Sequence, residues 1–213
     1  MDKKFEITGT TKLTCLLGNP VSHSISPAMH NASFQKLGLD YTYLAFSVDE
    51  THFERAVDGL ITLGAAGWNC TMPLKRLMYE RVDTLSDSAL LSGAVNTVVN
   101  RDGQLFGDNT DGYGFLQSMR DAGFSCEGKH AVLLGSGGAA AAILAQAALD
   151  GAAAIDVFAR SASASTRLIA EEIQRIHARC DCRIRLFDLA DSTSLRHCLD
   201  EADVLINASS VGM

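Results

Sequence analysis

Four short stretches of this chain gather side chains that can do chemistry. Gly135-Ser136-Gly137-Gly138-Ala139 is a small-residue turn of the kind that lets backbone amides and a helix N-terminus approach a phosphate group. Taken alone it is compatible with a dinucleotide loop, a methyltransferase loop or a tight strand-to-helix turn. Ser22-His23-Ser24-Ile25-Ser26-Pro27 sets hydroxyls beside a predicted helix start, which suits a carboxylate ligand, and Ser26 also reads as an ordinary helix N-cap. Asn69-Cys70-Thr71-Met72-Pro73-Leu74-Lys75 brings an amide, a hydroxyl and an ammonium together between a strand and a helix. Gly107-Asp108-Asn109-Thr110-Asp111-Gly112 adds carboxylates at the entry to another helix. An ammonium beside a carboxylate is the equipment of general acid/base catalysis on a carbonyl or hydroxyl.

The elements that must position these groups can be read from periodicity and breakers. Leu13–Leu17 is a buried strand stopped by Gly18-Asn19-Pro20. A helix should run from Ser26-Pro27 to Gly38, with Met29, Phe34 and Leu37 as its apolar stripe. Strand 41–48, helix 51–63, strand 67–70 and a helix opened by Pro73 follow, then a hairpin turned at Asp102-Gly103. A connecting helix is expected over 112–122. Beyond it, strands 130–134, 154–159, 183–187 and 204–207 alternate with three helices, which implies right-handed crossovers and a parallel sheet. The fold class expected is therefore α/β, with domains at 1–111 and 127–213 joined by a connector at 112–126.

That alternation supports the dinucleotide reading of the glycine turn. The second strand of the run ends in Ala159-Arg160-Ser161, and an arginine there can face the 2′-phosphate of NADP. Asp156, the acid that an NAD enzyme would use for the ribose, falls inside the strand and is expected on its exposed face.

Composition narrows the remaining classes. The 213 residues are 47% apolar and 20% charged, a globular mix, with 18 Lys and Arg against 25 Asp and Glu for a net charge of −7. Such a balance does not favour nucleic acid or anionic lipid. The N-terminus lacks the apolar run of a signal peptide, and no stretch approaches the ~20 residues that span a bilayer. Six cysteines without a C-x-x-C pair read as reduced thiols of a cytoplasmic protein, with no metal site. The histidines are expected mostly at surface or capping positions. A homodimer is compatible with the sequence, which fixes no oligomeric state.

Five motifs in order, H-S-I-S-P at 23–27, N-C-T-M-P-L-K at 69–75, G-A-V-N-T at 93–97, G-D-N-T-D-G at 107–112 and G-S-G-G-A at 135–139, resemble the shikimate dehydrogenases. The resemblance implies an N-terminal substrate domain followed by a Rossmann-like NADP domain, and NADP-dependent reversible reduction of 3-dehydroshikimate to shikimate. It further implies that Ser24 and Ser26 bind the substrate carboxylate and that Asn69, Thr71, Asn96 and Asp111 hold ring hydroxyls. Lys75 is then the acid/base, paired with Asp111. Gly135, Ser136, Gly137, Gly138 and Ala139 become the pyrophosphate loop, Arg160 and Ser161 the 2′-phosphate grip, and Asp87 a further cofactor contact.

The chain departs from the family at two points. Ala159 stands where the family carries Asn, which removes one adenosine contact. After Asn207–Met213, which resembles the family's nicotinamide segment, the closing strands and helices are absent, so the cofactor domain is expected to be truncated and the isolated chain poorly stable. Rival readings are a quinate/shikimate dehydrogenase that uses NAD as well as NADP, a non-catalytic sensor, and a methyltransferase. The sensor is disfavoured because both Lys75 and Asp111 are present, and the methyltransferase leaves the first half unexplained.

Overall fold

A computed structural model describes residues 6–161 and 163–211. By contacts the chain forms two compact units, residues 1–86 with 94–108 and residues 87–93 with 109–213.

The first unit is built on a sheet of order β2-β1-β3-β5-β6-β4. Its strands are β1 (Lys12–Gly18), β2 (Tyr41–Ser47), β3 (Gly67–Cys70), β4 (Thr84–Leu85), β5 (Thr97–Arg101) and β6 (Gln104–Asp108). The first three run parallel, β5 and β6 form the expected hairpin, and Asp102 and Gly103 in its turn have φ of 53° and 91°. Helices α1 (Ser26–Leu37), α2 (Phe53–Thr62) and α3 (Lys75–Arg81) pack on it. One face buries Leu16, Val21 and Tyr43 against Phe34 of α1. The expected α1 stripe is not buried, however: Met29 is 53% and Leu37 69% exposed. Phe34 and His30 instead lie against Tyr41 and Tyr43 at the edge strand, and Asn31 exchanges hydrogen bonds with the Tyr43 backbone. His30 stacks on Tyr43 at 4.3 Å, so it is neither a surface nor a capping residue.

The second unit holds a parallel sheet of order β10-β7-β8-β9. Here β7 is His130–Leu134, β8 Ala154–Ala159, β9 Arg183–Asp188 and β10 Val204–Asn207. Helices α4 (Asp87–Ser92), α5 (Asp111–Asp121), α6 (Gly138–Leu149), α7 (Ala164–His177) and α8 (Ser192–Glu201) complete it. The alanines of α6 are small enough for neighbouring helices to approach closely. A Cβ on Gly112 of α5 would lie 2.0 Å from the carbonyl oxygen of Ala142. The helix expected to connect two domains is for that reason a packed part of the second unit. Helix α4, which the sequence reading passed over, places Leu91 in the same core. No helix among the described residues is long and apolar enough to cross a membrane.

Two carboxylates lie inside the second unit. Asp156 of β8 is fully buried, not on an exposed strand face, because hydrogen-bonding partners come to it from both neighbouring strands. Arg185 of β9 donates to its two oxygens at 2.7 Å each, and His130 of β7 lies 2.8 Å from Oδ2. Glu172 of α7 is also buried, and its Oε1 has no hydrogen-bond partner. Burial pushes the Glu172 carboxyl well above the ordinary value of 4.5, against the opposing pull of Arg175. A folded pKa above the unfolded one means that the neutral form suits the fold, so this residue's contribution is favourable below pH 4.5 and is lost as pH rises through the folded value. Glu172→Leu should flatten that decline and raise the urea midpoint at neutral pH by an amount equivalent to about 1–3 kcal/mol. A midpoint that keeps the wild-type pH slope would show that Glu172 does not cause it.

Candidate active site

In the first unit the candidate groups stand at the carboxyl ends of the parallel strands, where α/β sheets present their ligand-binding loops. The loop after β1 leads into α1. Ser26 is the first residue of that helix and Ile25 its cap, so Ser26 is not the N-cap residue expected; instead the Ser24 hydroxyl accepts from the Ser26 N–H at 3.2 Å. The Ser26 hydroxyl makes no hydrogen bond among the described residues and the Ser24 O–H is unspent, leaving two donors beside the amides of a helix N-terminus. Both residues are half-buried.

After β3 the chain crosses closely over the end of β1. A Cβ on Gly18 would sit 2.2 Å from Thr71 Cγ2, and the Thr71 N–H donates to Leu17 O. Glycine at 18 is therefore what lets Thr71 lie there. A turn through Pro73 follows, so α3 opens at Lys75 and not at the proline. Leu74 and Met78 bury the helix, and Trp68 Nε1 donates to Met78 Sδ at 3.3 Å. Lys75 is half-buried in the first helical turn, the end of a helix whose dipole does not favour a cation. Its carbonyl accepts from the Val95 N–H at 2.9 Å, which ties Lys75 to the segment bearing Asn96.

Asn69 and Asn96 are joined by a hydrogen-bond chain. Tyr43 O–H donates to Asn69 Oδ1 at 2.8 Å; Asn69 Nδ2 donates to Thr97 Oγ1 at 3.0 Å and to Asn96 O at 3.1 Å; Thr97 Oγ1 donates to Asn96 Oδ1 at 2.8 Å. Both amide hydrogens of Asn69 are thus engaged inside the protein, which leaves one acceptor lone pair for a ligand. Its position suits a residue that orients Asn96. Tyr43 carries no local signal in the sequence, and Thr97 closes the G-A-V-N-T motif without a role of its own being assigned to it.

In the second unit, Asp111 begins α5, where a carboxylate meets the positive end of the helix. Its N–H donates to Asn109 Oδ1 at 3.2 Å, and buried Asn109 donates to Ser92 Oγ of α4 at 3.0 Å. Asp87, at the start of α4, pairs with Arg179 at 3.2 Å. Arg179 lies just past the C-terminal end of α7, far along that helix from the glycine turn, and Asp87 is not among the residues lining the cavity there.

That cavity measures about 530 Å³ and is lined by Gly135, Ser136, Gly137, Arg160 and the segment Asn207–Val211 among others. Residues 212 and 213 of the expected nicotinamide segment lie outside the described residues. Gly135 has φ +119°, and a Cβ there would meet Ala208 O at 2.8 Å. Gly137 and Gly138 have nothing within 4 Å of a built Cβ, so the turn is open at the N-terminus of α6. Ser136 Oγ lies 2.8 Å from Ser165 Oγ and 3.2 Å from Thr166 Oγ1, and Thr166 Oγ1 donates to Arg160 O, which fixes the turn against the loop after β8. An open cradle of amides with an arginine on its rim fits a dinucleotide carrying a pyrophosphate. Accordingly, Gly137→Val should fill the cradle and weaken NADP+ binding by about tenfold or more, while melting temperature changes little; Gly135→Val should lower stability directly. Calorimetric titration beside thermal melts separates the two, and unchanged affinity in Gly137→Val would rule out the cradle.

Comparison with known proteins decides the family. The family described as shikimate dehydrogenase substrate binding domain matches residues 16–98. Shikimate dehydrogenase (NADP(+)) of Listeria monocytogenes serotype 4b (strain F2365) is 44% identical over 207 residues, covering 97% of this chain and 71% of that protein. The chain belongs to the shikimate dehydrogenase family. Its fold agrees with the crystal structure of shikimate 5-dehydrogenase from Listeria monocytogenes in complex with shikimate and NAD, at a TM-score of 0.93 and 43% identity over 98% of this chain and 72% of that one. A ligand-free 5-ketofructose reductase of Gluconobacter sp. strain CHM43 is also similar, with a TM-score of 0.82 and 32% identity over 97% and 72% of the two chains. For a shikimate dehydrogenase family member, the substrate-domain match contains Ser24, Ser26, Asn69, Thr71, Lys75 and Asn96, while the glycine turn and Arg160 lie beyond it.

Proposed function

We propose that this chain catalyses the reversible, NADP-dependent reduction of 3-dehydroshikimate to shikimate, a step of chorismate and aromatic amino acid biosynthesis, in the cytoplasm. One observation carries the reading: within the first unit, half-buried Lys75 opens α3 four residues beyond Thr71 at the end of β3, and its carbonyl ties it to the segment of Asn96. Its relatives act on a small hydroxylated ring acid by name, and the donors present match such a ligand. The six cysteines are free, in keeping with a reducing compartment.

In this reading the Ser24 and Ser26 hydroxyls donate to the substrate carboxylate, assisted by the amides of the α1 N-terminus. Thr71 and Asn96 fix ring hydroxyls, and Asn69 holds Asn96. NADPH, when bound, supplies the hydride to the keto carbon. Negative charge then develops on the keto oxygen, and the Lys75 ammonium stabilises it and delivers the proton. Asp111 is the carboxylate of the acid/base pair and a hydroxyl acceptor. The backbone amides of Gly135–Ala139 receive the pyrophosphate, with Arg160 and Ser161 at the adenosine end, while Asp87, paired with Arg179, takes no part in the dinucleotide cavity.

The test is shikimate-dependent reduction of NADP+ followed by nicotinamide absorbance, with 5-ketofructose assayed in the reductive direction for comparison. Turnover of shikimate is expected and turnover of 5-ketofructose is not. Folded protein that binds NADP+ yet leaves shikimate untouched would refute the reading.

A further inference from the structure

We propose that Asp188 limits discrimination between NADP and NAD in this chain, by engaging the Ser161 hydroxyl and opposing the charge of a 2′-phosphate. The proposal rests on the cofactor reading above. Strand β8 ends at Ala159, which pairs in register with Asp188 at the end of β9, and the Leu189 N–H donates to Ala159 O at 2.9 Å. A carboxylate from the neighbouring strand is thereby brought beside Arg160 and Ser161. Together they line a hollow of about 400 Å³ with Leu189 and Ala190, and Arg160 and Leu189 also line the dinucleotide cavity.

Inside the hollow the carboxylate is held from two sides. The Ala190 N–H donates to Asp188 Oδ1 at 2.9 Å, and Ser161 Oγ donates to Oδ2. These bonds hold the carboxyl below the usual aspartate range, so it stays anionic at neutral pH. Arg160 makes no ion pair among the described residues. The hollow thus offers one cation to a phosphate, but next to it an anion, and the hydroxyl that would join the grip already donates to that anion. A 2′-phosphate must displace the Ser161 bond and accept a like charge nearby. A 2′-hydroxyl meets neither obstacle and can donate to a remaining lone pair of the carboxylate.

Asp188→Asn keeps the size and an acceptor oxygen while removing the charge, and the residue is exposed, so the fold should be retained. Titration calorimetry at low salt with NADP+, NAD+, adenosine 2′,5′-bisphosphate and adenosine 5′-monophosphate reads the effect without turnover. The variant should bind NADP+ and the bisphosphate about tenfold more tightly, with NAD+ and the monophosphate within about twofold of wild type, and the gain should shrink at high salt. Equal shifts for the phosphorylated and unphosphorylated ligands, or no shift, would overturn the proposal while leaving the cofactor site in place. If wild-type protein binds neither dinucleotide, the cofactor reading fails and the proposal falls with it.

Discussion

Replacement of Lys75 by methionine should lower kcat by about 10²–10⁴-fold, with the KM for shikimate changed far less. The ammonium acts chiefly on charge that appears at the keto oxygen as hydride arrives, so its loss falls on the transition state more than on the bound ground state. Methionine preserves the apolar stem that lies half-buried in the first turn of α3, so the fold should survive. The same variant should titrate with NADP+ as the wild type does, since Lys75 belongs to the substrate unit and the glycine turn to the other. A kcat within a few-fold of wild type would remove Lys75 from the chemistry.

The largest stability effect is expected at Asp156. Asp156→Asn should cost about 1–3 kcal/mol in urea denaturation, because the buried side chain loses its charge-assisted bonds from Arg185, whose part-exposed guanidinium can turn to water. Burial by itself would push this carboxyl up, but hydrogen bonds from Arg185, Cys198 and His130 outweigh it and hold the group at about 2. The folded pKa lies below the unfolded one, so the contribution is present above about pH 4 and is lost as pH falls toward 2. The variant should show a flatter acid limb than wild type. It should also bind NADP+ and NAD+ as before, since Asp156 shares its face with Cys198 of α8 and is absent from the cavity lining. A selective loss of NAD+ affinity would instead assign the residue to the ribose.

These two residues show how much of the molecule is legible in its sequence. Strands β3, β7, β8 and β10 have the expected bounds, because apolar runs closed by small or breaker residues report on a buried parallel sheet directly. The glycine turn is equally plain, since an open cradle needs residues without side chains. Asp156 is opaque for the opposite reason: its partners His130 and Arg185 lie on other strands, and only the register of β7, β8 and β9 brings the three side chains together. Asp188 and Ser161 meet in the same way. Helix α4 is six residues long, too short for a periodic signal, and is held by tertiary contacts. The Tyr43 to Asn96 chain joins side chains from separate segments, and although Asn69, Asn96 and Thr97 lie in motifs, nothing local shows that they bond to one another.

The excursion of α4 also governs how the molecule can be cut, made and recombined. Residues 87–93 are flanked on both sides by the first unit but belong to the second, so the polypeptide passes between units at 86/87, 93/94 and 108/109. During synthesis the first sheet has all its strands once residue 108 is available, whereas Leu91 must wait for α6 and α7 to emerge before its burial site exists. A severed piece starting at 109 would lack the leucine that fills its core, and the other piece would display it to solvent. Grafting a different nucleotide unit onto this substrate unit accordingly means transplanting two separate segments, with α4 travelling alongside the glycine turn.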